Sequence, residues 1–195
     1  MPADLITDLD MIRRLAAAQH DRFEVMRYLL EDEDALTDAQ IDRLVDHIAA
    51  PIIAAIDCTQ CANCCRVLDV YLTPDDAARL AAGLDLPVAA VTDRYIDHAA
   101  AAQVGEWGRF RARPCALLNG TLCSVYAHRP QTCRAYPAFT PDFRWTLADL
   151  IDGAGLCPII YNVLIALVAA TDRLPLLPDD LCAVIADAPD DSGAC

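Results

Sequence analysis

Residues 58–67 read CTQCANCCRV and place four thiols within eight positions, the last two adjacent. A hydrophobic core does not need sulfur at that density, and three chemistries use it: disulfides, zinc and iron–sulfur clusters. Two residues between cysteines is the spacing that lets a tight loop aim two thiolates at one metal. The spacing runs twice in succession, from Cys58 to Cys61 and from Cys61 to Cys64. Three sulfurs can therefore wrap one centre from one loop, with a fourth ligand arriving from elsewhere. Zinc sites more often draw two ligands from each of two knuckles, so the triple leans toward iron.

Cys65 sharpens the reading. Neighbouring side chains diverge by about 100° in a helix and about 180° in a strand, so Cys64 and Cys65 are expected to face different centres. Downstream, Cys115, Cys123, Cys133 and Cys157 stand in proline-rich or aromatic settings: RPCALL, LCSVY, RPQTCRAYP and GLCPI. Eight thiols suit two four-sulfur centres, one on Cys58, Cys61 and Cys64 plus a distant cysteine, the other on Cys65 plus the remaining three. The same count also suits one centre with the other thiols unligated or redox-active. Cys182 reads as a core residue, and Cys195 has no assigned role.

Disulfides fit poorly, because adjacent cysteines cannot normally bond each other without strain. The opening MPADLITDLDMIRRL is acidic where an export signal would be basic and then apolar. A reducing cytoplasm is the expected location. The longest apolar run, residues 156–170, is too short for a membrane span and contains Pro158 and Asn162.

The chain has 195 residues and a formal net charge of −14, which disfavours nucleic acid and anionic membranes as partners. Lysine is absent, and most arginines lie between Arg66 and Arg144, among the cysteines. Arg66 follows Cys65, while Arg129 and Arg134 flank Cys133. All three are placed to donate to thiolate or sulfide around the ligands, or else to clamp carboxylates and carbonyls in loops. His98 and His128 sit among polar or alanine neighbours and are expected in solvent. Tyr126, Tyr136, Phe139 and Trp145 are expected to form a small apolar lid.

Around the cysteines the pattern is helical. Apolar residues recur at three- and four-residue spacing from Leu5 to Leu30. Thr37 with Gln40 forms a capping-box signature for a second helix that continues toward Cys58 despite Pro51. YLTPDDAARLAAGL predicts a short helix capped by Thr73, with Pro74 first and Gly83 near its end. VAAVTDRYIDHAAAA predicts another. From Gly105 to Pro141 the periodicity disappears, with short strands expected at residues 66–72 and 122–126. Helix resumes over residues 159–171, and a last short one is expected at 180–187.

The set YLTPDDAARLAAGL, TDRYI, PCALL, LCSVYAHRPQTCRAYP and GLCP, following the opening cluster, resembles the CxxCxxCC cysteine-cluster family, also called the YkgJ family. The resemblance covers about residues 58–158, and the spacing of Tyr126, Arg129, Pro130, Cys133, Arg134 and Pro137 is its most specific part. It implies chelation of zinc or iron, sometimes as an iron–sulfur oxidoreductase. The domain also occurs in flagellin lysine N-methylases, but this chain carries neither a glycine-rich nucleotide loop nor the CxxxCxxC of radical enzymes. Ala62 departs from the family, which commonly has glycine there, so a less sharply turned knuckle is expected.

These readings predict a mainly α-helical protein with an N-terminal helical pair (1–57), a cysteine-cluster metal-binding domain (58–158) and a C-terminal helix and tail (159–195), packed as one unit. The expected ligands are Cys58, Cys61, Cys64, Cys65, Cys115, Cys123, Cys133 and Cys157, holding zinc, iron or an iron–sulfur cluster. The expected role is redox or metal handling, with a structural zinc domain that binds a protein partner as the alternative. Substrate and oligomeric state are not legible.

Overall fold

A computed structural model describes residues 5–32 and 36–172. The helix expected at 180–187, Cys182 and Cys195 lie outside the described residues. Ten helices are described: α1 (Leu9–Glu31), α2 (Asp38–Ala55), α3 (Cys58–Cys61), α4 (Asn63–Val67), α5 (Pro74–Leu84), α6 (Val88–Tyr95), α7 (His98–Ala102), α8 (Gln131–Ala135), α9 (Phe143–Gly153) and α10 (Pro158–Thr171). Five short strands accompany them: β1 (Tyr71–Leu72), β2 (Ile96–Asp97), β3 (Gly108–Phe110), β4 (Leu118–Asn119) and β5 (Leu122–Cys123). The protein is mainly α-helical. By internal contact the chain forms two compact units, one joining the residues up to Asp57 with those from Pro137 onward, the other spanning Cys58–Tyr136.

In the first unit, side-chain caps set the helix starts. The Asp8 carboxylate accepts the Met11 N–H at 2.7 Å and opens α1. Thr37 and Gln40 close the expected capping box at the start of α2. Helix α9 had no counterpart in the sequence reading, although Phe143, Leu147, Leu150 and Ile151 lie on one buried face. It begins at a left-handed Asp142, and Asp42 of α2 accepts the N–H groups of Asp142 and Phe143, each at 2.9 Å. Both N-terminal helices pack against α9 and α10, which also pack on each other. Buried Phe23, Met26, Ile41, Phe143, Leu147 and Leu164 fill the space between them, each contributing about 1.5–3 kcal/mol.

Helix α10 is apolar nearly all round because it is buried nearly all round. Its Asn162 accepts the Ile6 N–H at 3.0 Å and donates to the Ile6 carbonyl at 2.8 Å, pinning the start of the chain. Among the described residues, no helix is long and apolar enough to cross a membrane.

The second unit departs from expectation in three places. The helix predicted over VAAVTDRYIDHAAAA is interrupted by β2, because Ile96 is buried in a three-stranded sheet and Asp97 caps α7 by accepting the Ala100 N–H. The strand expected at residues 66–72 shrinks to β1, since α4 runs through Val67. Strands β1 and β2 each pair antiparallel with β3, and β4 pairs with β5 in a separate hairpin. Tyr126 belongs to a 3₁₀ turn, Tyr126–His128, rather than to a strand.

Candidate metal centre

Two short helical turns build the opening loop. Helix α3 carries Cys58 and Cys61, and α4 carries Cys64 and Cys65, with Ala62 between them at φ 50°, in the left-handed region. An L-residue there costs roughly 1–2 kcal/mol. The turn is thus as sharp as glycine would make it, contrary to expectation. Arg66 locks it by donating to the Cys61 carbonyl at 2.6 Å and to the Gly120 carbonyl at 3.0 Å.

The adjacent cysteines do not diverge as expected. Their Sγ atoms lie 4.0 Å apart, because side-chain rotation brings the sulfurs together across the angle between their Cβ bonds. With Zn–S bonds of about 2.3 Å, tetrahedral sulfurs stand about 3.8 Å apart, so this separation removes the steric reason for assigning the pair to different centres.

The second group of thiols is tied to the first through backbone. The Cys115 N–H donates to the Cys65 carbonyl at 2.8 Å, and the Leu118 N–H to the Cys115 carbonyl at 3.0 Å. Leu118 faces Cys123 across the β4–β5 hairpin. Cys115 and Cys123 rest against a core that includes Leu72, Leu80, Ile96, Phe110 and Val125. Beyond the 3₁₀ turn, Cys133 sits on α8. That helix is held by Asp76 of α5, whose carboxylate accepts the Gln131 N–H at 2.8 Å, and by Thr132, which donates to the Tyr71 carbonyl at 3.2 Å.

These thiols act on one another electrostatically. Burial pushes Cys133 up to about 12, reinforced by the charges of Cys65, Cys115 and Cys123. Burial also raises Cys115 and Cys123, again with Cys65 adding to the rise. Cys65 goes the other way, down to about 6, because Cys64 hydrogen-bonds to it and Arg129 and Arg66 lie near, outweighing burial. Four bare thiolates would repel one another here, and a bound cation relieves that repulsion. Residues 58–136 hold eight arginines against seven acidic residues, so the excess negative charge of the chain lies in the helical unit. Among the described residues, no three His, Cys, Asp or Glu side chains already stand in the arrangement of a metal site. The thiols are gathered without being closed on one point.

Of the eight predicted ligands, seven lie in the second unit. Cys157 lies in the first, buried at the residue preceding α10. Arg129 donates to the Tyr126 carbonyl at 3.0 Å and stacks over the Tyr126 ring at 3.6 Å, with its charge reaching Cys65, Cys123 and Cys133. Arg134 donates to the Gln131 side chain at 2.5 Å. His98 and His128 are exposed, as expected. The aromatic lid is not assembled as predicted: Trp145 is 64% exposed, Phe139 is buried in the helical unit and Tyr126 carries Arg129.

Two residues that shape the site had no chemical signature in the sequence. Asp76 read only as a first-turn acid, and Gly83 only as a residue near the end of its helix. Gly83 does lie there, one residue before Leu84, and an added Cβ would meet the His128 Cβ at 2.7 Å. The left-handed cap that ends the helix is Asp85.

The donors fit the metals that thiolates bind, zinc and iron. Residues 57–150 match a family model described as "CxxCxxCC: Putative zinc- or iron-chelating domain". No curated protein and no solved structure matches the chain.

Proposed function

Residues 57–150 match the CxxCxxCC family model, and from this premise we propose that the chain's metal is held by the thiolates of Cys65, Cys115, Cys123 and Cys133, in a redox or metal-handling role. One observation carries the reading: four thiols from three separated stretches lie within electrostatic reach of one another, beside the Arg129 guanidinium. Cys58 and Cys61 supply further ligands on the opening loop, and Cys64, whose Sγ lies 4.0 Å from that of Cys65, is within reach of either group. Arg66 holds that loop, and Arg129 offsets thiolate charge. The bound group is zinc or iron, the latter with sulfide as a cluster; iron would bring one-electron redox chemistry and zinc would not.

The test is metal retained after gel filtration against a weak chelator, in the wild type and in a variant with Cys65, Cys115, Cys123 and Cys133 changed to serine. Retention by the wild type and reduced retention by the variant is expected. Equal retention would overturn the assignment.

A second reading, a structural zinc domain that presents its surface to a protein partner, draws on the small size of the cysteine unit. Its strands are two or three residues long and its core is one modest cluster, and units of that size commonly need a metal staple. Under this reading the metal is zinc alone, and its removal unfolds the unit. The wealth of thiols supports a reducing, cytoplasmic setting under either reading.

A further inference from the structure

We propose that Asp76 is a positioning residue for the metal centre, presenting Cys133 to it by holding the start of α8. This rests on the metal-binding reading above. Asp76 is 3% exposed, and both of its carboxylate oxygens are used. Oδ2 accepts the Thr73 N–H at 3.0 Å and the Thr73 hydroxyl at 2.9 Å, which completes the cap of its own helix. Oδ1 instead accepts the Gln131 N–H at 2.8 Å, across 55 positions of sequence.

Gln131 is the first residue of α8, and Cys133 follows two positions later. A five-residue helix has little stability of its own. The neighbouring anchors of this segment, the Thr132 bond to Tyr71 and the seat of His128 against Gly83, come from residues beside or within α5. Helix α5 is therefore the template on which residues 126–135 lie, and Asp76 is its buried, charged contact with them. Asp42 does the same for α9, where it accepts the Asp142 and Phe143 N–H groups. A capping box alone leaves one carboxylate oxygen to solvent; here that oxygen is buried and spent on the ligand-bearing segment.

The test separates positioning from plain stability. Thr73→Ala damages the cap of α5 but leaves the Asp76–Gln131 bond. Asp76→Ala removes both. Gln131→Pro deletes the N–H together with the side-chain bond from Arg134, which Gln131→Ala removes alone and so controls for, and proline suits the first position of a helix after the extended Pro130, at φ −51° and ψ 154°. Each full-length variant is titrated with Co(II), whose thiolate charge-transfer band grows with the number of sulfur ligands, and the cobalt-loaded protein is then treated with iodoacetamide and mapped by mass spectrometry.

Asp76→Ala and Gln131→Pro are expected to lower Co(II) affinity by about 10–100-fold, to lose one thiolate's share of the band, and to expose Cys133 selectively to alkylation. Thr73→Ala keeps the wild-type band. Asp76→Asn, whose amide oxygen still accepts from Gln131, recovers it. If Asp76→Ala does not fold, Gln131→Pro compared with Gln131→Ala decides the matter. A protected Cys133 in Gln131→Pro, or equal losses in Thr73→Ala and Asp76→Ala, overturns the inference while leaving the metal reading standing. A wild-type protein with no cobalt–thiolate band overturns both.

Discussion

The Cys115 N–H donates to the Cys65 carbonyl at 2.8 Å, which joins the opening cluster to the second group of thiols by backbone rather than by metal. Cys65 thus sits where both groups meet, and its charge acts on Cys115, Cys123 and Cys133. Under the proposed assignment, removing its sulfur strips one ligand from the second group while leaving Cys58, Cys61 and Cys64 in place. In Cys65→Ala, bound metal measured by elemental analysis is expected to fall to roughly half of the wild-type value, with the helical content retained. Complete loss in a folded protein would mean that all the thiols serve one centre, and full retention would remove Cys65 from the ligands.

Cys65 also stands apart in acidity. Its hydrogen bond from Cys64 and the nearby Arg129 and Arg66 charges bring it to about 6, so in the metal-free protein it is mainly thiolate at neutral pH, while burial holds Cys133 near 12 as a thiol. The thiolate is the reactive form. Alkylation mapped by mass spectrometry should modify Cys65 well before Cys133 at pH 7, and the Cys65 rate should fall as pH drops through about 6. Equal rates at the two positions would contradict the electrostatics described here.

The left-handed Ala62 carries a cost that glycine would not. Ala62→Gly is expected to stabilise the protein by about 1 kcal/mol, offset in part by the freedom glycine gains on unfolding, and to raise the melting temperature by about 2–4 °C. An unchanged or lower melting temperature would show that the turn is not strained.

Gly83 presents the opposite case. Alanine is the better helix former by about 1 kcal/mol, but its Cβ would lie 2.7 Å from the His128 Cβ, atoms that neither backbone can withdraw cheaply. Gly83→Ala is therefore expected to displace the 3₁₀ turn between Cys123 and Cys133 and to weaken metal binding in a chelator competition. Adding His128→Gly removes the obstructing atom and should restore binding. Weakened binding that His128→Gly does not relieve would point to another cause.

Much of this was legible in the residues. Thr37 with Gln40, and Thr73 with Pro74, mark helix starts because side-chain caps are local chemistry. The thiols announce themselves by spacing. What sequence does not show is long-range: Asp76 meets Gln131 only after α5 and α8 pack, so a residue that reads as an ordinary first-turn acid holds the start of the helix that carries Cys133. Helix α9 was hidden because its start is supplied by Asp42, far away in sequence, and not by its own cap. The predicted divergence of Cys64 and Cys65 followed from Cβ directions, whereas their sulfurs, one bond further out, are free to converge.

The central claim is that thiolates of the cysteine unit hold a metal, and the most direct test is elemental and acid-labile sulfide analysis, with a visible spectrum, on protein purified without oxygen or added metal. The account predicts zinc or iron bound in stoichiometric amount, with sulfide and visible absorption if the centre is an iron–sulfur cluster and neither if it is zinc. Protein that is folded, metal-free and fully titratable for free thiols would contradict it.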